Sequence, residues 1–254
     1  MKQNILDALK RFRLTGLAET LDTRLQEAQA NRLSHEEFLE LALHDETLRR
    51  EERGLSRRIK AAGFHSLKTL DDFDWSFNPN LDRQVFYELA AGDFARRAKD
   101  ILLIGPPGTG KTHLATAIAY QLLKSGMAVY YRSVFDLVRD FNRDEELKEN
   151  SSLRRYLKAD FLIIDDMGLR ELPVRAGEHL FEVIIKRHES RSTLMTSNRP
   201  IEDWGKLVGD VPTAGAILDR FLQHARIIEF KGRSYRLKTN GNALEELEGR
   251  EKMA

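Results

Sequence analysis

Eight consecutive residues, Gly105-Pro106-Pro107-Gly108-Thr109-Gly110-Lys111-Thr112, have the types and spacing to hold a phosphorylated ligand. They match the P-loop pattern G-x-x-x-x-G-K-[ST], whose glycines let backbone N–H groups curl around phosphate oxygens. Lys111 would reach the β- and γ-phosphates, the Thr112 hydroxyl would ligate Mg²⁺, and His113 opens the helix that closes the cradle. A plain Gly-Pro turn before an ordinary helix would require neither the lysine nor the threonine. The chemistry implied is that of a nucleotide–Mg²⁺ site.

Two further places fit that chemistry. The apolar run Phe161-Leu162-Ile163-Ile164 ends in Asp165-Asp166, which puts carboxylates at the C-terminal edge of a strand, where open α/β sheets bind ligands. Asp165 would hold Mg²⁺, directly or through water, and Asp166 would polarise an attacking water. In Leu194-Met195-Thr196-Ser197-Asn198 an amide follows another strand. If that strand lies between the P-loop strand and the acidic strand, Asn198 would orient water at the γ-phosphate; otherwise it caps the loop before Arg199-Pro200. Arg220, beside Asp219 on an amphipathic segment, is either a surface ion-pair residue or an arginine supplied to a neighbouring subunit's γ-phosphate.

These residues need a particular scaffold. Asp100–Ile104 is an apolar run suited to a buried strand, and Leu114, Ala117, Ile118 and Leu122 share one face of the helix that follows. The P-loop therefore leads into a helix N-terminus, where free N–H groups and the helix dipole favour anions. Strands are expected at 128–131, 161–164, 192–196 and 227–230. Helices are expected at 82–98, 143–158, 178–188 and 214–224, with a helical stripe at 134–141, which makes an α/β domain with a parallel sheet. Residues 1–62 read as helix throughout, with Gly16 as a break and Ser34-His35-Glu36-Glu37 as a capping box. The third helix ends near Gly63 and carries Arg49, Arg50, Arg53, Arg57 and Arg58, either a solvated face or a nucleic-acid contact. The segment 64–83 reads as a linker, whose Phe73, Trp75 and Phe77 either pack a domain junction or approach an adenine ring.

Composition narrows the classes. Lys plus Arg number 41 against 40 Asp plus Glu, so any nucleic-acid surface must come from local clustering. With no cysteine, disulfides and thiolate metal sites are excluded. The seven histidines lack both His-x-x-x-His and Glu-x-x-His spacing, which argues against a histidine metal site. No apolar run approaches the roughly 18 residues of a membrane span, and the N-terminus lacks a signal-type core, so a cytoplasmic location is expected.

Together GPPGTGKT, FLIIDD, TSN and DRF resemble the AAA+ ATPases. The helical N-terminus ending in RRIKAAGF, then LDDFDW, LMTSNRPIEDWGKLVGD and AILDRFLQHARIIEFKGRSYRLK, resemble the IstB-like helper ATPases of insertion-sequence transposases over residues 1 to 240. Helicase loaders of the DnaC type are similar through the ATPase core. The resemblance implies a helical DNA- or partner-binding domain at 1–63, a linker at 64–83, an AAA+ domain at 84–240 and a polar tail at 241–254. It also implies a homo-oligomer that binds double-stranded DNA in ATP and stimulates a cognate transposase. Arg220 matches the arginine finger, Asn198 the sensor-1 position, and Arg143, Lys148, Arg154, Arg155 and Lys158 a DNA-contacting insertion of loader-type relatives. Two departures stand out. Asp165-Asp166 replaces the common Asp-Glu, and the chain past the Ser234–Lys238 region is too short for the usual helical lid, although Arg236 could stand in for a lid arginine. The alternatives are a helicase loader, a P-loop kinase for a small molecule, and a nucleotide-gated scaffold with negligible turnover.

Overall fold

A computed structural model of the chain describes residues 2–169, 172, 175–208 and 211–236. Expectations about a lid and a polar tail fall on residues outside these. The chain divides into two compact units, residues 1–58 and 59–254.

The first unit is helical. α1 (Lys2–Arg11) turns at Arg13, whose φ is +59°, into α2 (Thr15–Asn31), which α3 (His35–Ala62) follows. The capping box forms as expected: the Ser34 N–H donates to Glu37 Oε2 at 2.7 Å, and the Glu37 N–H donates to Ser34 Oγ at 3.2 Å. Gly16 is not the break. It is the second residue of α2, and a Cβ there would fall 2.7 Å from Arg49 Cβ and 2.8 Å from the Asp45 carbonyl. The missing side chain lets two helices touch backbone to backbone. Buried Glu46 then accepts from the Gly16 and Leu17 N–H groups at 2.7 and 3.2 Å, capping α2 from a neighbouring helix. Leu9, Leu17, Leu21 and Ala42 form the small core of this unit.

In the second unit, α4 (Arg83–Ala90) starts on Asp82, whose side chain accepts from the Gln84 N–H. It stops at Gly92, φ +86°, so the single helix expected over 82–98 is two, α5 being Asp93–Arg96. Next come β1 (Asp100–Ile104), α6 (Lys111–Lys124), β2 (Val129–Ser133), α7 (Val134–Leu147), α8 (Ser151–Lys158) and β3 (Phe161–Met167). A left-handed Lys148, φ +53°, divides α7 from α8 where one helix was expected. The remaining described elements are α9 (Ala176–Arg187), β4 (Ser192–Ser197), a 3₁₀ turn (Ile201–Asp203), α10 (Trp204–Val208), α11 (Val211–Leu222) and β5 (Ala225–Glu229). Sequence periodicity missed the short turn around Trp204, whose side chain is wholly buried.

The five strands are parallel in the order β2-β3-β4-β1-β5. Alternation sends Leu102, Leu162 and Ile164 to the face covered by α7, α9 and α11, with Val138, Leu180, Ile217 and Phe221 packed among them. Because β1 and β3 are buried on both faces, residues 101–104 and 161–164 read as continuous apolar runs, whereas buried β4 sets Leu194 and Met195 between serines and threonines.

One charged residue pins this core. Arg187, at the end of α9, is 1% exposed and donates to the carbonyls of Tyr156, Ala159 and Ser192 at 2.7, 2.8 and 2.5 Å, and to Thr193 Oγ1 at 3.0 Å. Arg187→Met keeps the volume and strands three buried carbonyls. The expected loss is at least about 3 kcal/mol, a fall of roughly 6 °C or more in Tm. Thermal unfolding followed by circular dichroism checks it; a shift under about 2 °C would show that the carbonyls find other partners.

Candidate nucleotide site

The P-loop leaves β1 at Ile104 and enters α6 at Lys111. Gly105, φ +145°, has no room for a side chain, since a Cβ would lie 2.1 Å from the Phe230 carbonyl oxygen. Gly108, φ +76°, is closed in the same way by Ser234, and the Tyr235 N–H donates to the Gly108 carbonyl at 2.9 Å. The chain following β5 therefore braces the loop from one side. Phe73 and Phe77 of the 64–83 segment stand on the other, Phe73 over Gly110 and Phe77 edge-on to Tyr235 at 5.0 Å. These aromatics pack the phosphate loop itself. His113 stacks edge-on against Phe73 at 5.2 Å, and its Nε2 lies 2.9 Å from the Thr69 carbonyl. Between these walls is a cavity of about 620 Å³, lined by Pro107–His113, Asp166, Asn198, Phe73, Phe77, Tyr235 and Arg236 among others.

Lys111 is 5% exposed, and its ammonium donates to the carbonyls of Gly105 and Pro106 at 2.6 and 2.7 Å. Burial pushes its pKa down to about 8, while Asp165 and Asp166 pull it up. A buried cation held by loop carbonyls gains most from an anion in the cradle.

Asp165 is 1% exposed and gathers hydroxyls. Thr112 Oγ1 donates to its Oδ1 at 3.1 Å, Thr196 Oγ1 donates to the same oxygen, and Tyr131 donates to Oδ2 at 2.6 Å. Thr112 and Asp165 supply hard oxygen donors in direct contact, the donor chemistry that suits Mg²⁺. These two would hold the ion, which would neutralise phosphate charge beside Lys111.

Asp166 sits on a β-bulge. Its φ is +65°, and the β3–β4 register slips between Ile164 and Met167. That left-handed backbone is unusual for a residue with a side chain, and it turns the carboxylate into the cavity. The Asp166 N–H donates to Thr196 Oγ1 at 3.1 Å, so one threonine ties both acids. Burial first and the Asp165 charge second raise the Asp166 pKa, against Arg236 and Lys111. Asn198 lines the same cavity, and its N–H donates to the Met167 carbonyl at 2.9 Å. The strand carrying it, β4, lies between β1 and β3, the arrangement on which its water-orienting role depends.

The fold thus brings the P-loop, Asp166, Asn198 and Arg236 to one cavity, with Asp165 buried directly behind its Thr112 wall. Arg220 is elsewhere: it lies exposed near the end of α11, outside the lining, and makes no ion pair among the described residues. Sequence reading missed Thr196 and Tyr131. Thr196 could have been found, because it lies two residues before Asn198, at the same-face spacing of a strand.

The two basic groups differ. On α3, Arg49 pairs with Glu19 and Glu52, Arg50 with Glu46, and Arg53 with Glu19 and the Thr15 hydroxyl. Part of that charge is already neutralised by acids of α2 and α3, while Arg50, Arg53 and Arg57 still line a shallow groove with Ser56. In the second group, Arg155 donates to the Tyr130 hydroxyl at 3.2 Å, and Arg143, Lys148, Arg154 and Lys158 are exposed. Away from the cavity, the fold also gathers His188, Glu189 and His224, with ligand atoms within 4.8 Å of one another, which no sequence spacing announced. The Lys99 ammonium lies 3.2 Å from His224 Nδ1 and makes that nitrogen an acceptor, so His224 Nε2–H points at Glu189, 3.1 Å away. A hydrogen-bond chain from Lys99 through His224 to Glu189 holds two of the three, and His188 stacks on His224 at 5.7 Å with its Nε2 3.9 Å from Glu189.

A parallel sheet in this order, with a P-loop after β1 and paired acids on β3, defines an AAA+ type of P-loop nucleotide-binding domain. Solved structures agree on the fold. The DnaC helicase loader superposes with a TM-score of 0.54 at 20% identity, covering 69% of this chain and 99% of that one. AMPPCP-bound DnaA from Aquifex aeolicus gives 0.55 at 23% identity over 70% of this chain and 55% of that one.

The chain belongs to the family described as IstB-like ATP binding protein, whose model matches residues 7–243. An ATP-binding protein of insertion sequence IS5376 from Geobacillus stearothermophilus is 37% identical over 94% of this chain and 95% of its own length. The corresponding protein of insertion sequence IS21 from Pseudomonas aeruginosa is 36% identical over 92% and 89%. Among the described residues, no helix is long and apolar enough to cross a membrane.

Proposed function

We propose that this chain is an ATP-hydrolysing switch that oligomerises on double-stranded DNA in its ATP-bound form and assists the transposase of an insertion sequence. The observation carrying this reading is that Asp166, Asn198 and the P-loop converge on one cavity, with Asp165 buried behind Thr112, while Arg220 stands outside it. Such a cavity lacks its finger until another copy supplies one. Lys111 and the α6 N-terminus would hold the phosphates. Asp166 would orient the attacking water and accept its proton, Asn198 would align that water, and the bond from the γ-phosphorus to the bridging oxygen would break to leave ADP and phosphate. A pKa raised by burial suits Asp166 to the base role. The 1–63 segment would bind DNA or the partner protein.

Asp166→Asn separates binding from turnover. The variant is expected to bind ATP and assemble, because Asp165 and Thr112 remain, while hydrolysis falls about 10²-fold or more. Phosphate release at the wild-type rate would move the water-orienting role to another residue.

DNA contact is tested by salt. Each phosphate-contacting cation lost lowers the log–log salt slope by about one. Neutralising Arg57 and Arg58 together with Arg143, Lys148, Arg154 and Lys158 is therefore expected to flatten the slope measured on duplex DNA. An unchanged slope and affinity would remove these residues from the interface. A helicase loader shares the core, and capture by a replicative helicase rather than a transposase would favour that alternative. A small-molecule kinase would leave Asn198 and Arg220 without a role.

A further inference from the structure

We infer that Tyr131 is a positioning residue for the carboxylate of Asp165, holding it for Mg²⁺, and that Phe64 and His65 set the angle of its ring. This rests on reading Asp165 as the Mg²⁺ residue. Tyr131 lies on β2, next to β3, and is 4% exposed. Its hydroxyl donates to Asp165 Oδ2 at 2.6 Å, whereas the Thr112 and Thr196 hydroxyls both donate to Oδ1. The division matters. A carboxylate held through one oxygen can swing about its Cβ–Cγ bond, and one held through both cannot. Oδ1, which accepts from Thr112, would be the oxygen offered to an ion, while Tyr131 would still hold Oδ2. Burial and the two neighbouring acids raise the Tyr131 pKa, so the phenol stays an O–H donor.

The ring is itself clamped. Phe64 meets it edge-on at 5.9 Å and 63°, and His65 at 5.6 Å and 84°. These residues directly follow Gly63, where α3 ends. The Mg²⁺ carboxylate is thus linked, through one phenol, to the segment that joins α3 to the nucleotide domain. Hydrogen-bond partners one step behind a metal ligand fix its orientation, and losing one weakens metal binding about 10- to 100-fold.

The test uses the full chain and AMPPCP, titrated with Mg²⁺ and followed by calorimetry. Tyr131→Phe keeps the ring against Phe64 and His65 and removes only the hydroxyl. It is expected to raise the half-saturating Mg²⁺ concentration about tenfold or more, with metal-free AMPPCP affinity unchanged within about twofold. A purely structural tyrosine would lower the metal-free AMPPCP affinity and leave the half-saturating Mg²⁺ concentration alone. An unchanged or lower Mg²⁺ requirement overturns the assignment. Lys111→Ala runs in parallel. If it loses AMPPCP while Tyr131→Phe leaves the Mg²⁺ requirement untouched, the positioning role alone fails. If Lys111→Ala binds AMPPCP like wild type, the nucleotide reading falls as well. Should Tyr131→Phe not fold, wild-type protein labelled with ¹³Cζ-tyrosine reads the phenol directly. The Tyr131 resonance is then expected to move with Mg²⁺–AMPPCP and not with AMPPCP alone, and an unmoved resonance overturns the proposal.

Discussion

Arg220→Ala is expected to bind ATP nearly as well as wild type and to lose about 10³- to 10⁵-fold in turnover, the range measured for arginine fingers. The argument is geometric. Arg220 is exposed on α11 and absent from the cavity that holds Lys111, Asp166 and Asn198, so removing it takes nothing from the phosphate cradle of its own chain. A neighbouring copy would bring the guanidinium to the γ-phosphate, where its charge counts only as negative charge spreads during bond breaking. Mixing Arg220→Ala with Lys111→Ala gives the discriminating result. Some mixed interfaces pair an intact P-loop with an intact arginine, so part of the activity is expected to return. If mixed oligomers form and remain inactive, Arg220 serves only as a surface residue beside Asp219.

The second large effect is on binding. Lys111→Ala removes a buried ammonium that two carbonyls hold 2.6 and 2.7 Å away, at the spot from which it would reach the β- and γ-phosphates. A charge-assisted contact of this type contributes about 1.5–3 kcal/mol, so ATP affinity is expected to fall roughly 10- to 150-fold. ATP-dependent assembly is expected to disappear with it. Calorimetry with AMPPCP reads the affinity, and light scattering reads the assembly. A Lys111→Ala protein that assembled on DNA in ATP like wild type would show that this site is not the switch.

Legibility in the sequence followed physics. The P-loop and the strands β1 and β3 were readable because parallel strands covered on both faces are rich in apolar runs, and because phosphate binding needs glycines at fixed spacing. The strand order that puts Asn198 between the loop and the acids was a condition in the sequence and is a fact of the sheet. What escaped were contacts between residues far apart in the chain. Gly16 reads as a helix breaker, and only the crossing of α2 and α3 reveals that it is there for its lack of a side chain. Tyr131 reads as one apolar position in a strand, and only the β2–β3 register brings it to Asp165. The arginines of α3 read as a solvated face or a nucleic-acid contact, and helix packing brings Glu19 of α2 to Arg49 and Arg53, while Arg50 pairs with Glu46 one turn away on α3 itself. Positive φ at Asp166 left no signature, because aspartate is common in strands' ends and turns alike.

The central claim, a nucleotide site completed by a second copy on DNA, is tested most directly by mass. Multi-angle light scattering on the full chain, with AMPPCP and Mg²⁺, with duplex DNA, and with both together, is expected to give a large assembly only when nucleotide and DNA are both present. Arg220→Ala and Lys111→Ala are expected to reduce or abolish it. A wild-type protein that stays monomeric with both ligands bound would contradict the account.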